Sequence, residues 1–366
     1  MEAALVWTFN RSDRDVLNVE FSDTERFEFF IGKLPIRTVN KKHVKTITRL
    51  AYLSLAIAVL TIDTPTAEGE LGDLYASLTG TGENGGGFIY RYAPSGVQNT
   101  IASGLSRPHG VALDRFANLF VASTTLNGTS YQGTILKITP LGVQSTFASL
   151  GPDLFLVGLA IDRSDNVFAM ALTTGANFAS TIYKFTRDGV QSTFGSIPSP
   201  SQSFGLAFDE AGNLLAADTF NQTVFKFAPD GTRTVFVSPS AFDPDTGPAG
   251  LAFDRFGNLF VSTESEQLLI GNDTILKFTP EGAKSTFATG LTFPRGLAFD
   301  RGGNLFVADV DGVGSGEILK FTPEANRSVF AVVPVPSNTD PQFLAFQLLP
   351  TPRPRPLPHQ RPIGQP

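Results

Sequence analysis

Apolar and polar positions alternate along most of the chain in short runs, separated by turns rich in Gly, Pro and Asp. Period-two alternation over such lengths predicts strands rather than helices, because successive side chains of a strand point to opposite faces. The strands recur in a fixed order. A segment reading Gly-(Leu/Val)-Ala-(Phe/Leu/Ile)-Asp, a short turn and an Asn-led apolar strand appears five times, with its Asp at 114, 162, 209, 254 and 300. Successive copies lie 48, 47, 45 and 46 residues apart.

A period in the forties built from short strands and turns predicts a β-propeller in which each repeat is one four-stranded blade. In the copy ending at Asp300, Gly296 to Phe299 reads as strand a and Arg301-Gly302-Gly303 as a turn. Asn304 to Ala308 then reads as strand b, Ile318 to Phe321 as strand c and Ser328 to Ala331 as strand d. Leu297 and Phe299 fall on one face of strand a and Ala298 on the other, which suits an innermost strand with little room on one side. Most of the 33 Phe residues return at fixed places in the repeat and read as packing between blades.

Five complete copies do not close a ring. Ahead of the first lie Asp73 to Ala76, Phe88 to Tyr92 and Asn99 to Ala102, which match strands b, c and d. After the last, Gln342 to Phe346 matches strand a alone. The two ends therefore complete one blade between them. The expected fold is all-β: a six-bladed β-propeller of four-stranded antiparallel blades, closed by N- and C-terminal strands sharing one blade, with no exposed sheet edge at the seam.

The motifs Pro108-His109-Gly110-Val111-Ala112-Leu113-Asp114 with Asn118 to Ala122, Gly205 to Asp209 with Asn213 to Asp218, and Pro294-Arg295-Gly296 to Asp300 with Asn304 to Asp309 carry a resemblance. They resemble the NHL-repeat and regucalcin/gluconolactonase superfamily of six-bladed propellers over roughly residues 68–349. The resemblance implies the fold. Activity stays open, since hydrolases, lyases, peptide-processing enzymes and non-catalytic interaction modules share such folds. In the regucalcin-like enzymes the channel mouth supplies Glu, Asn and Asp ligands to a divalent cation, and the corresponding positions of this chain do not repeat that set.

Outside residues 68–349 the composition changes. Lys41, Lys42, Lys45 and Arg49 precede an apolar run from Leu50 to Leu60 and then Thr64-Pro65-Thr66-Ala67, the order of an export signal; residues 41–67 read as such a signal or as an uncleaved membrane anchor. Residues 1–40 read as a charged extension ahead of it, with a true start expected near Val39. Residues 350–366, rich in Pro and Arg, read as a disordered or polyproline II tail. The expected location is periplasmic or extracellular, and the expected state a monomer.

The chain has no Cys, which excludes thiol catalysis, disulfides and cysteine metal sites. A net charge of −6 without a basic stripe argues against nucleic acid as a partner. Gly80-Thr81-Gly82-Glu83-Asn84-Gly85 has dinucleotide-loop spacing but precedes a strand, where that fingerprint requires a helix. Asp309-Val310-Asp311-Gly312 and Asp243-Pro244-Asp245-Thr246-Gly247 resemble pieces of a Ca²⁺ loop, the one cofactor hint, and turn chemistry accounts for both. The five repeated Asp residues read as hairpin braces, their carboxylates accepting backbone N–H groups within the turn.

Residues just before the inner strands should line the channel mouth: His109, Val157, Phe204, Ala249, Arg295 and Gln342. His43 and His359 lie outside the repeats, so His109 is the only imidazole base available to the ring. Arg295, Gln342 and His109 would form a polar half of the rim facing the apolar half around Phe204, with Asp218 and Asp309 at nearby strand ends. Two readings stand for this rim: a site for an amphiphilic or anionic ligand, or ordinary loop residues. For the protein, the first reading is an exported binding or scaffolding module that takes a protein, a peptide or a small anionic ligand at the channel mouth. The second is a lactonase, hydrolase or lyase with a rearranged active site.

Overall fold

The structure is a computed structural model that describes residues 72–79, 85–174, 178–265, 273–310, 316–333 and 340–347, together with three short N-terminal strands. The chain divides into two units, Met1–Pro65 and Thr66–Pro366. In the first, β1 (Val6–Trp7), β2 (Val16–Glu20) and β3 (Arg26–Phe30) form an antiparallel sheet in that order. The sequence of this stretch suggests only a charged extension, and the sheet is the difference. The export segment 41–67, the tail 350–366, the glycine loop 80–84, Asp311, Gly312, His43 and His359 lie outside the described residues.

The second unit is a six-bladed propeller. Blade I comprises β7 (Pro108–Leu113), β8 (Leu119–Asn127), β9 (Ser130–Ile138) and β10 (Gln144–Pro152). Blade II comprises β11 (Leu154–Ile161), β12 (Val167–Thr173), β13 (Ser180–Phe185) and β14 (Gln191–Ile197). Blade III comprises β15 (Ser203–Phe208), β16 (Leu214–Asp218), β17 (Thr223–Phe227) and β18 (Arg233–Val237). Blade IV comprises β19 (Thr246–Phe253), β20 (Leu259–Ser265), β21 (Asp273–Phe278) and β22 (Lys284–Leu291). Blade V comprises β23 (Pro294–Phe299), β24 (Leu305–Val310), β25 (Gly316–Phe321) and β26 (Arg327–Val333). In blade VI the C-terminal β27 (Asp340–Phe346) pairs antiparallel with β4 (Leu74–Thr79), followed by β5 (Gly87–Tyr92) and β6 (Gln98–Leu105).

Closure follows from the register. Leu344 faces Ala76 and Phe346 faces Leu74, as Leu297 faces Val307 and Phe299 faces Leu305 in blade V. Each inner strand contacts the next around the ring, and β27 contacts both β23 and β7. The inner strands approach closely because of their glycines. A Cβ on Gly110, Gly158, Gly205, Gly250 or Gly296 would come within 3.0 Å of backbone atoms of the next inner strand. In β27 this register position is held by Phe343 instead.

Between blades, the core is aromatic. Phe168 meets Phe194 at 4.9 Å and Phe208 at 5.0 Å, Phe260 meets Phe287 at 5.0 Å and Phe299 at 4.9 Å, and Phe306 meets Phe330 at 4.9 Å and Phe346 at 4.8 Å. All six pairs are edge-on, the arrangement favoured by ring quadrupoles and worth about 0.5–1.5 kcal/mol per pair beyond area burial. A lysine of the third strand covers the central ring: Lys184 over Phe168, Lys277 over Phe260 and Lys320 over Phe306.

Candidate functional site

The repeated Asp residues sit at the turn between the first two strands, on the face opposite the channel mouth. Asp254 Oδ1 accepts the backbone N–H groups of Phe256 at 2.8 Å and Asn258 at 2.9 Å, and its Oδ2 accepts the Asn258 side-chain amide at 2.7 Å. The same Asp–Asn brace recurs at 114/118, 162/166, 209/213 and 300/304. Each carboxylate has its oxygens engaged within its own hairpin, so the five act as braces.

At the mouth, Phe204, Ala249, Arg295 and Gln342 line one cavity together with Phe343 and Glu264. Inner-strand twist brings the first four there, each standing just before the glycine position of its strand. Glu264 comes from β20 of blade IV and reaches the Arg295 guanidinium of blade V at 3.3 Å. A second guanidinium nitrogen donates to Gln342 Oε1, whose amide in turn donates to Thr79 at 3.3 Å. Arg295 is thus already matched by a carboxylate and an amide. The cavity has a volume of about 10 Å³, the room of a single water.

His109 and Val157 do not line that cavity. Val157 is fully buried in the core between blades II and III. The His109 ring packs edge-on to Phe155 at 5.1 Å, and its backbone carbonyl accepts the Ser77 hydroxyl, tying blade VI to blade I. Although the residue as a whole is half-buried, the ring sits deep among protein atoms, with Nδ1 buried and unbonded. Burial, then the positive charges of Arg295 and Arg107, hold its pKa down at about 3. The sequence offers His109 as the one imidazole base of the ring, and this burial disfavours its protonated form.

Asp218 and Asp309 brace loops. Asp218 Oδ1 accepts the Gln202 N–H at 3.1 Å and its Oδ2 the Asn221 side-chain amide at 2.7 Å. Asp309 Oδ1 accepts the N–H groups of Thr292 at 3.1 Å and Phe293 at 3.0 Å. Burial raises the pKa of both, partly offset by these bonds. Neither lines the mouth cavity. The Asp243–Gly247 segment folds as a turn in which Asp243 O accepts the Thr246 N–H at 3.1 Å and its hydroxyl at 2.9 Å. Among the described residues no three His, Asp or Glu side chains converge at metal-binding range, so the acidic donor set of a divalent-cation site is not assembled there.

Two acidic residues escaped the sequence reading. Glu264 is the one charged residue at its register position of the second strand, where the other blades carry Thr79, Thr124, Leu172, Thr219 and Val310. Asp273 opens the third strand of blade IV and is fully buried. Burial, then the charge of Glu264, raises its pKa to about 7. In both cases the signal was departure from the repeat rather than conformity to it.

No protein-family model matches the chain, and no curated protein sequence does. Solved structures match. A protein of unknown function from Bacteroides caccae aligns with TM-score 0.51 at 16% identity, over 75% of this chain and 98% of that one. The luciferin-regenerating enzyme aligns with TM-score 0.51 at 13% identity, over 71% of this chain and 99% of that one. A putative gluconolactonase aligns with TM-score 0.48 at 14% identity, over 67% and 88%. At these identities the likeness concerns the fold alone, a six-bladed propeller shared with enzymes and with proteins of unknown function.

Proposed function

We infer that this chain is an NHL-like propeller, exported by residues 41–67, that acts as a binding or scaffolding module and docks protein or peptide segments on the loop-rich face around the channel. The observation carrying this reading is a pair of uncovered aromatic rings on that face. Phe178 and Phe220 are 52% and 50% exposed. They flank one loop of blades II and III: the Phe178 carbonyl accepts the Ser201 N–H at 3.0 Å, and Asn221, next to Phe220, donates to the Pro200 carbonyl at 2.8 Å. Phe204, three residues beyond Ser201, lines the mouth cavity.

On the opposite face Phe116 and Phe256 are 49% and 69% exposed, and they differ in carrying guanidinium groups against the ring. Arg115 and Arg187 lie 5.5 and 4.7 Å from the Phe116 ring, and Arg255 lies 4.8 Å from Phe256. Among the described residues no cation covers Phe178 or Phe220. Exposed aromatics on a fixed loop suit a protein interface, where such rings are enriched and carry much of the binding energy. The mouth supports the same reading, because the neutralised Arg295 and a cavity the size of one water leave no room there for a metabolite.

The test is selection of peptides from a random display library on the immobilised propeller. Selected peptides should bind the Phe178→Ser/Phe220→Ser variant at least tenfold more weakly and bind Phe256→Ser unchanged. Equal binding to wild type and to the double variant, or no enrichment, would overturn the reading.

A further inference from the structure

At the seam of the ring the first hairpin of blade VI is cut. In blade V, Asp300 N–H donates to Asn304 O at 3.0 Å and Gly303 N–H to Asp300 O at 3.2 Å. Blade VI repeats both bonds across the two ends of the chain, Gln347 N–H to Asp73 O at 3.1 Å and Gly72 N–H to Gln347 O at 3.4 Å. Between these bonded positions every other hairpin has two tip residues. Here the bonded positions belong to the two ends of the propeller, so among the described residues no hairpin tip closes over the groove between blades V and VI. Between blades I and II, where the tip is complete, Arg115 instead reaches Asp165 of the next hairpin and closes the groove.

The uncovered groove holds a cavity of about 240 Å³. That exceeds the roughly 150 Å³ apolar cavity known to take up benzene. Its walls include Phe306, Phe330 and Phe346, the edge-packed trio of this groove. Two cations border it. Lys320 Nζ stands 5.4 Å from the Phe306 ring centroid, and Arg301 lies on the exposed rim. Among the described residues neither has an ion pair. The Asp300 carboxylate also lines the cavity, but its oxygens accept the Asn304 backbone and side-chain N–H groups at 2.8 and 2.7 Å. Gln347 Oε1 is buried with no donor.

We propose that this seam pocket is a binding site for a small planar aromatic carboxylate. The ring lies against the phenylalanines and the carboxylate meets Lys320 and Arg301. The pocket is separate from the channel face and does not depend on the docking reading.

Indole-3-acetate carries both features and serves as the probe, by calorimetric titration and ligand-observed NMR on the full chain. Saturable binding is expected, weakened at least tenfold by Lys320→Met, by Arg301→Glu and by replacing the probe with neutral indole-3-acetamide. Lys184→Met is the matched control, because Lys184 stands at 5.3 Å from Phe168 in a groove whose hairpin is complete. It should leave binding unchanged, and circular dichroism on each variant confirms the fold. The proposal fails if the probe does not saturate, if Lys320→Met and Arg301→Glu bind as wild type does, or if Lys184→Met loses as much as Lys320→Met.

Discussion

Replacing Leu344 by alanine asks whether the C-terminal strand is an integral part of the ring. Leu344 is 7% exposed and its repeat equivalent in blade V, Leu297, is 6% exposed. Leu344 packs with Leu74, Ala76 and Phe306 between blades V and VI, and Leu297 with Phe260, Leu305 and Val307 between blades IV and V. Truncating a packed leucine costs about 2–5 kcal/mol, the transfer term plus the cavity left behind. That is a large part of a total stability of about 5–15 kcal/mol. The two positions share register, burial and neighbours, so Leu344→Ala and Leu297→Ala should cost the same within about 1 kcal/mol. Equilibrium urea unfolding of wild type and both variants measures this, with an unchanged m-value showing that the same surface unfolds in each. If Leu344→Ala costs under about 0.5 kcal/mol while Leu297→Ala shows the full loss, the C-terminal strand is not packed in the ring and the closure is wrong.

Two further predictions concern buried titratable groups. His109 has a folded-state pKa lowered to about 3, so the stability its neutral form contributes is complete above its unfolded value of 6.5 and is lost as pH falls toward 3. His109→Phe should flatten that acid limb in unfolding measured from pH 7 to 4, and an acid limb unchanged in the variant would contradict the burial argument. Asp273 behaves in the opposite sense. Its pKa is raised to about 7 by burial first and then by Glu264, and contacts with Ser265 that fall short of good hydrogen-bond geometry offset only part of this. Its own contribution to stability is therefore complete below its unfolded value of 3.8 and is lost as pH rises through 7. Asp273→Asn should remove that decline and be the more stable protein at pH 8; a variant that declines with pH as wild type does would refute it.

The parts of this fold legible in the sequence are those that repeat. A hairpin brace needs Asp and Asn at fixed spacing, and an inner strand needs glycine where the next backbone passes, so the same physical demand writes the same residues into each blade. Closure was legible because Gln342 to Phe346 keeps the spacing of strand a. The site was legible only as a set of rim positions. Which side chain reaches across from one blade to the next depends on twist and loop path, which have no period in the sequence; Glu264 meeting Arg295 and Phe343 replacing a glycine in the channel are such cases. The seam pocket escaped for a related reason, since it lies where the two ends of the propeller stand in for a continuous hairpin, and that junction has no motif. The N-terminal sheet lies outside the repeat altogether, and the alternation of Arg26-Phe27-Glu28-Phe29 has no second copy to give it weight.

Hydrogen exchange of the propeller with a selected peptide bound tests the central claim most directly, since it reports which face is covered without altering the protein. Docking on the channel face predicts slowed exchange at residues 198–202 and at the flanking backbone of Phe178 and Phe220, with the hairpins around Phe116 and Phe256 unchanged. Protection confined to those hairpins, or spread evenly over all six blades, would contradict it.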